Sequence, residues 1–307
     1  MKRIAFLEKN SPFGKLLLLI GLILLFSILS ALSGLLVGKL FFGVTITELG
    51  TFISNPETPE AVSFVKFYQL INQIGIFIFP VLFYSFFVST SPGSYLRLDK
   101  KPTALSLLVV GLVVYAILPF LNYLADLNQQ IVLPDLFSGI EQWMKAKELQ
   151  ATHLTKIFLR TETIFGLSMN LIIVALIPAI GEELLFRGVL LRLTKEMTKS
   201  THLAVIITAL LFSAIHLQFY GFFPRFLLGL ILGYSFVFSQ NLWAPIFLHF
   251  VNNASSVIIF YMHYNGYIKI SMENFGASPN SVYIIGSLLA TIWLMIILYQ
   301  KEGQFRT

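Results

Sequence analysis

Eight apolar runs, each close to the length needed to cross the ~30 Å hydrocarbon core of a bilayer, take up most of the 307-residue chain and leave few folds open to it. They lie near residues 14–38, 67–90, 103–125, 163–193, 201–217, 222–239, 243–263 and 280–300. In lipid, backbone N–H and C=O groups must be satisfied inside the protein, so runs of this length predict helices. The expected fold is all-α, a polytopic transmembrane helix bundle of about eight spans. Composition agrees, with 56% hydrophobic and only 12% charged residues where a soluble domain carries about 25% charged. Between Phe226 and Ile268 there is no formal charge, and only Gln240-Asn241 with Pro245 divides that stretch into two helices.

Charge sets the expected orientation. The net charge of +6 comes largely from short basic segments beside the apolar runs: Lys2, Arg3, Lys9 and Lys15, then Arg97, Lys100 and Lys101, then Arg192, Lys195 and Lys199, and finally Lys301 and Arg306. By the positive-inside rule these segments and both termini are cytoplasmic, and the loop from Asn55 to Glu60 is outside. Basic residues so placed meet lipid headgroups and imply no nucleic-acid partner. Ala31-Leu32-Ser33 resembles a signal-peptide cleavage site, but the apolar run continues to Gly38, beyond a normal h-region, so the first run reads as a span. Phe137, Ile140 and Met144 recur at helical spacing among Glu141, Lys145 and Lys147, which predicts an interfacial helix before the fourth span, with a solvated loop as the alternative. The chain has no cysteine, which excludes disulfides, thiol nucleophiles and thiolate metal sites.

Polar residues inside the spans point to a site. Glu182, Glu183 and Arg187 stand in the apolar stretch IPAIGEELLFRGV, and a charge at bilayer depth costs roughly 2.5–3.5 kcal/mol on insertion scales. Residues four apart share a helix face, so Glu183 can pair with Arg187 while Glu182 points about 100° away. The same rule stacks Phe212 with His216 and His249 with Asn253. Glu182 lies thirteen residues before Lys195 and His216 fourteen after His202, so both sit roughly 20 Å from the cytoplasmic boundary and can meet. His249 lies six residues after Trp243, about 9 Å, and reaches the same level only if the turn at Gln240 is sunk in the protein. Glu183, Arg187 and Phe212 read as supporting residues. Pro178 frees the carbonyl of Val174, either as a kink or as a polar contact at the site. The pairs Gly229/Gly233 and Gly34/Gly38 read as close helix contacts.

The ordered set Glu182-Glu183-xxx-Arg187, Phe212-xxx-His216 and His249-xxx-Asn253, with Phe226-xx-Gly229 between, resembles the CPBP family of intramembrane proteases, also called the CAAX protease or Abi bacteriocin-processing family. The resemblance covers roughly residues 163–262. It implies a glutamate-dependent endopeptidase in which Glu182 with His216 activates a water, while His249 and Asn253 bind the oxyanion of the tetrahedral intermediate. It implies a division into accessory transmembrane helices and an outer loop (1–162), a catalytic helix bundle (163–263), and a final span with a cytoplasmic tail (264–307). It also implies a peptide or protein substrate in the membrane, and a bacterial cytoplasmic membrane as the location. Nothing in the chain indicates a prenyl pocket.

Elementary chemistry is compatible with that role. Amide hydrolysis needs a base for the water and donors for the developing O⁻. A carboxylate removed from water is a stronger base, and histidine and asparagine can donate hydrogen bonds. No cofactor is expected in this reading; the alternative takes Glu182, His216 and His249 as three zinc ligands with one open position. Two other classes also use such residues: a proton-coupled transporter, and a non-catalytic membrane scaffold or immunity protein of the same fold.

Single cysteines introduced at position 57 and at position 100 should label from the outer and cytoplasmic faces respectively, against no native thiol background. Labelling of position 57 from the cytoplasmic face alone would refute the orientation.

Overall fold

In the computed structural model, residues 7–44, 47, 50, 52, 56 and 58–303 are described. Lys2, Arg3, Asn55, Glu57 and Arg306, which enter the charge argument above, lie outside the described residues.

Helix α1 (Pro12–Phe42) shows how local chemistry sets the ends of a span. Ser11 caps it by accepting from the Gly14 N–H at 3.2 Å, Pro12 starts it, and Gly43 at φ 66 stops it in the left-handed conformation. After it come α2 (Pro59–Val88), α3 (Ala104–Gln129), α5 (Ile164–Thr198), α7 (Phe222–Ser239), α8 (Trp243–Tyr264) and α9 (Ser281–Gly303). Among the described residues these seven are the helices long and apolar enough to cross a membrane, and no strand occurs. Between α3 and α5 the connection forms α4 (Ser138–Leu159), a helix rather than a loop, with Ile140, Trp143 and Leu149 exposed. The chain is a multi-pass membrane protein.

Two expectations change. The second span begins at Pro59 instead of near 67, because Thr58 caps it and Pro59 opens its first turn. Its early polar residue Lys66 is satisfied by donating to Asn170 Oδ1 at 2.7 Å. The run expected as a fifth span, 201–217, is the 14-residue helix α6 (Thr201–Ala214), about 21 Å long and too short to cross. His216 sits in the turn beyond it, and Leu217 at φ 53 swings the chain toward a 3-10 turn at Phe219–Gly221 that leads into α7.

Helix α8 is central, with half of its most apolar window buried, against 17% for α1. It packs against α3, α5 and α7; α2 lies on the other side of α5, and α9 closes the bundle against α3. Leu24, Ile28, Leu32 and Leu36 of α1 are exposed on a lipid-facing stripe, while its Gly34 and Gly38 lie against Tyr68 and Phe64 of α2. The other small-residue pair brings α7 against α6: a Cβ on Gly229 would stand 3.1 Å from Ala209 Cα, and one on Gly233 would stand 2.8 Å from Val205 Cγ1.

Gly233→Leu should therefore force α6 and α7 apart and lower stability in detergent by about 1–3 kcal/mol. Gly21→Leu, at a position with open space around it, should leave the melting temperature unchanged. Equal melting of the two variants would show that the α6–α7 contact is not tight.

Candidate active site

Helix α5 departs from regular α geometry on both sides of its acidic pair. Wider π-helical turns occupy Leu171–Leu176 and Leu184–Leu190, and the α segment Ile177–Glu183 lies between them. Pro178 has no N–H, and the register shifts just before it, with Ile177 N–H reaching Ile172 O. The Val174 carbonyl meets Asn253 Nδ2 of α8 at 3.4 Å, the long end of a hydrogen bond. Of the two roles considered for that carbonyl, a polar contact at the site is the one present. The second Nδ2 hydrogen of Asn253 remains for another acceptor.

Glu183 and Arg187 are fully buried and paired, with Arg187 Nη1 donating to Glu183 Oε1 at 2.8 Å. Glu183 does more than the sequence indicated. The same Oε1 lies 2.9 Å from His249 Nδ1, whose N–H donates to the carboxylate. Arg187 Nη2 donates to Gly229 O at 2.8 Å, so one ion pair on α5 is tied to both α7 and α8. His249 reaches this level because the turn below α8 is sunk: Asn241 and Leu242 are buried, Leu242 N–H donates to Arg97 O at 3.1 Å, and Trp243 Nε1 donates to Leu98 O at 3.0 Å. The segment 97–98, from the accessory half, thus covers irregular backbone that lipid would not tolerate.

Phe212 fills the middle of the cluster. Its ring meets the rings of His216 at 5.2 Å, His249 at 5.7 Å and Phe186 at 5.3 Å between centroids, all edge-on, and the Arg187 guanidinium lies 4.9 Å over it. It is packing, and it is packing between functional groups.

Glu182 and His216 face each other at a greater separation. His216 Nδ1–H donates to Phe212 O at 2.7 Å, which leaves the lone pair on Nε2, and Nε2 stands 4.0 Å from Glu182 Oε2. That Oε2 is buried and has no hydrogen-bond partner among the described residues. Two acceptors 4.0 Å apart cannot bond directly, but a single water can donate to both. With two bonds of about 2.8 Å the angle at its oxygen would be about 90°, close to the opening of a water molecule. The His216 side chain is 28% exposed and that of Glu182 8%, so the pair opens on the His216 side.

The structure thus brings Glu182 to His216, Glu183 to Arg187 and His249, and Asn253 to the Val174 carbonyl. It does not gather the zinc alternative: among the described residues no group of three His, Asp or Glu side chains is arranged to hold a metal ion. Two participants were missed from sequence. The Gly229 carbonyl carries no sequence signal as an acceptor. Arg225, bonded to Gln218 at 2.7 Å at the head of α7, is a cation beside an apolar run, and the insertion-cost rule that flagged Glu182 would have flagged it.

Carboxylates, histidines and an amide from α5, α8 and the turn after α6 are thus gathered in one part of a membrane-type helix bundle. Residues 164–255 match the family model described as type II CAAX prenyl endopeptidase Rce1-like, and over this segment the chain is similar to that family of hydrolases acting on peptide bonds. The match runs from the start of α5 into α8 and contains all nine motif residues. No curated protein and no solved structure matches the chain.

Arg187→Ala would leave Glu183 buried without its guanidinium, a loss that typically costs about 3–5 kcal/mol and should appear as reduced abundance and a lower melting temperature. Glu183→Gln combined with Arg187→Met should recover part of that stability. An Arg187→Ala protein that melts like the wild type would overturn the structural assignment of Arg187.

Proposed function

We propose that the chain hydrolyses a peptide bond of a membrane-associated peptide or protein, using Glu182 and His216 to activate a water and Asn253 with His249 to stabilise the oxyanion. The observation that carries this reading is the pair of acceptors, Glu182 Oε2 and His216 Nε2, set 4.0 Å apart with the carboxylate oxygen unpartnered. In the first step the water gives a proton to this pair and its oxygen bonds to the carbonyl carbon. The carbonyl π electrons move onto oxygen, where the free Nδ2 hydrogen of Asn253 can donate. The intermediate then collapses, the C–N bond breaks, and the proton held by the pair goes to the departing nitrogen. One peptide ends in a carboxyl group and the other in an amine.

His249 has a stricter requirement. With Nδ1–H donating to Glu183, its Nε2 can donate to an oxyanion only if the ring carries both protons. Glu183 is then the positioning group for His249, which binds reaction chemistry to the same ion pair that holds the helices. The mechanism needs no cofactor.

In a comparison of membrane peptides released by wild-type and variant protein, Glu182→Gln and His216→Ala should each abolish cleavage while the protein still inserts. The double variant should be no worse than either, because the two groups act as a unit. Asn253→Ala should lose about 10²-fold or more in kcat with little change in melting temperature, as a donor used in the transition state does. Near wild-type cleavage by Glu182→Gln would refute the proposal, and inactivation by chelators reversed by zinc would move it to the metal version.

A further inference from the structure

Arg225 stands on α7 four residues before Gly229, and residues so spaced share a helix face. Gly229 is where α7 meets the site: its carbonyl accepts from Arg187, and a Cβ on it would lie 3.3 Å from Phe212. Arg225 therefore lies on the site-facing side of α7, about one 5.4 Å turn nearer the connection that carries His216. That connection holds it in place. Nη2 donates to Gln218 Oε1 at 2.7 Å and Nη1 to Gln218 O at 3.4 Å, two residues after His216, and Nη2 packs 3.1 Å from the position of a Cβ on Gly221.

These partners are neutral, so they orient the guanidinium without balancing its charge. Among the described residues no carboxylate lies within ion-pair distance of it. Glu182 and Glu148 of α4 are within electrostatic range only, and Glu148 Oε2 is itself buried with no hydrogen-bond partner. A half-buried cation held by an amide beside the proposed water-activating pair has no task in the hydrolysis derived above.

We propose that Arg225 is the substrate's anion anchor, its guanidinium receiving a carboxylate of the bound peptide, from the chain terminus or from an acidic side chain, close to the scissile bond. This rests on the protease reading. Of the five N–H donors in the guanidinium fork, Gln218 uses two, which leaves three, more than the two that a carboxylate takes. Such an anchor at one end of the peptide would fix its register over Glu182 and His216 and so set which bond is cut.

The test separates binding from turnover by using the full-length Glu182→Gln protein in detergent micelles, which should bind peptide without cutting it. The probe is an N-terminally fluorescent pool of peptides with six randomised C-terminal positions, made as the C-terminal acid and as the amide, and made again as amides with and without Asp and Glu. Anisotropy should show binding at least tenfold tighter for the acid pool, or for the Asp/Glu-containing amide pool if the anion is a side chain. Arg225→Gln on this background should erase that preference while leaving neutral-peptide binding unchanged, and Arg225→Lys should keep part of it. Equal binding of all pools to the Arg225 protein needs no folding control and would overturn the inference. So would a preference that survives in Arg225→Gln. A wild-type protein that cuts the acid and amide pools equally, and the amide pools with and without Asp and Glu equally, defeats the anchor alone. Anionic preference in binding with no cleavage by the wild type defeats the protease reading and leaves the anion site standing.

Discussion

The buried carboxylate of Glu183 is the interaction on which the arrangement depends. A charge removed from water costs several kcal/mol unless it is paired, and removing one partner of a buried pair is more damaging than never having it. Glu183 Oε1 takes a hydrogen bond from Arg187 on its own helix and one from His249 on α8, and Arg187 in turn reaches the Gly229 carbonyl on α7. Three helices are thus held at one level by groups that cannot be satisfied by lipid. The catalytic histidine candidate is part of that clasp, so stability and chemistry draw on the same atoms.

Around the clasp the helices are irregular wherever the site needs a group that regular geometry would withhold. The π-helical turns that flank Ile177–Glu183, with Pro178 between, leave Val174 O for Asn253. Helix α6 stops at Ala214, so His216 comes from a turn inside the bundle, with Nδ1 bonded to Phe212 O and Nε2 aimed at Glu182. The turn at 240–242 is buried and capped by backbone from Arg97 and Leu98. Non-helical backbone at this depth persists only where protein covers it, which gives the helices before α5 a physical role in the site.

Lipid-facing and protein-facing surfaces follow different rules in the same helix. Since lipid is as apolar as leucine, the exposed stripe of α1 contributes no association energy, and the helices are brought together by close backbone approach at Gly34, Gly38, Gly229 and Gly233. The α6–α7 approach places Phe212 beside Gly229, and the ring then covers the buried Arg187 and His249 and meets His216 edge-on. A larger residue at Gly229 would displace that ring.

Hydropathy and residue spacing alone determined the helical class, nearly all of the spans, the pairing of Glu183 with Arg187, and the common depth of Glu182 and His216, because these depend on the length of apolar runs and on the 3.6-residue period of a helix. The release of the Val174 carbonyl was also visible, since a proline four residues on leaves it without its helical donor, but the sequence does not tell a kink from a polar contact. What only the tertiary structure decided is which groups from different helices meet. That Glu183, and not Glu182, holds His249, that Arg187 ends on the Gly229 carbonyl, and that Arg225 turns toward Gln218 depend on the rotation of each helix about its axis. That rotation is set by side-chain packing between helices, which no pattern within one helix encodes. The shortness of α6 was also hidden: the apolar run continues to Leu217, but the helix ends at Ala214 and the chain turns at Leu217, whose φ of 53 lies in the left-handed region.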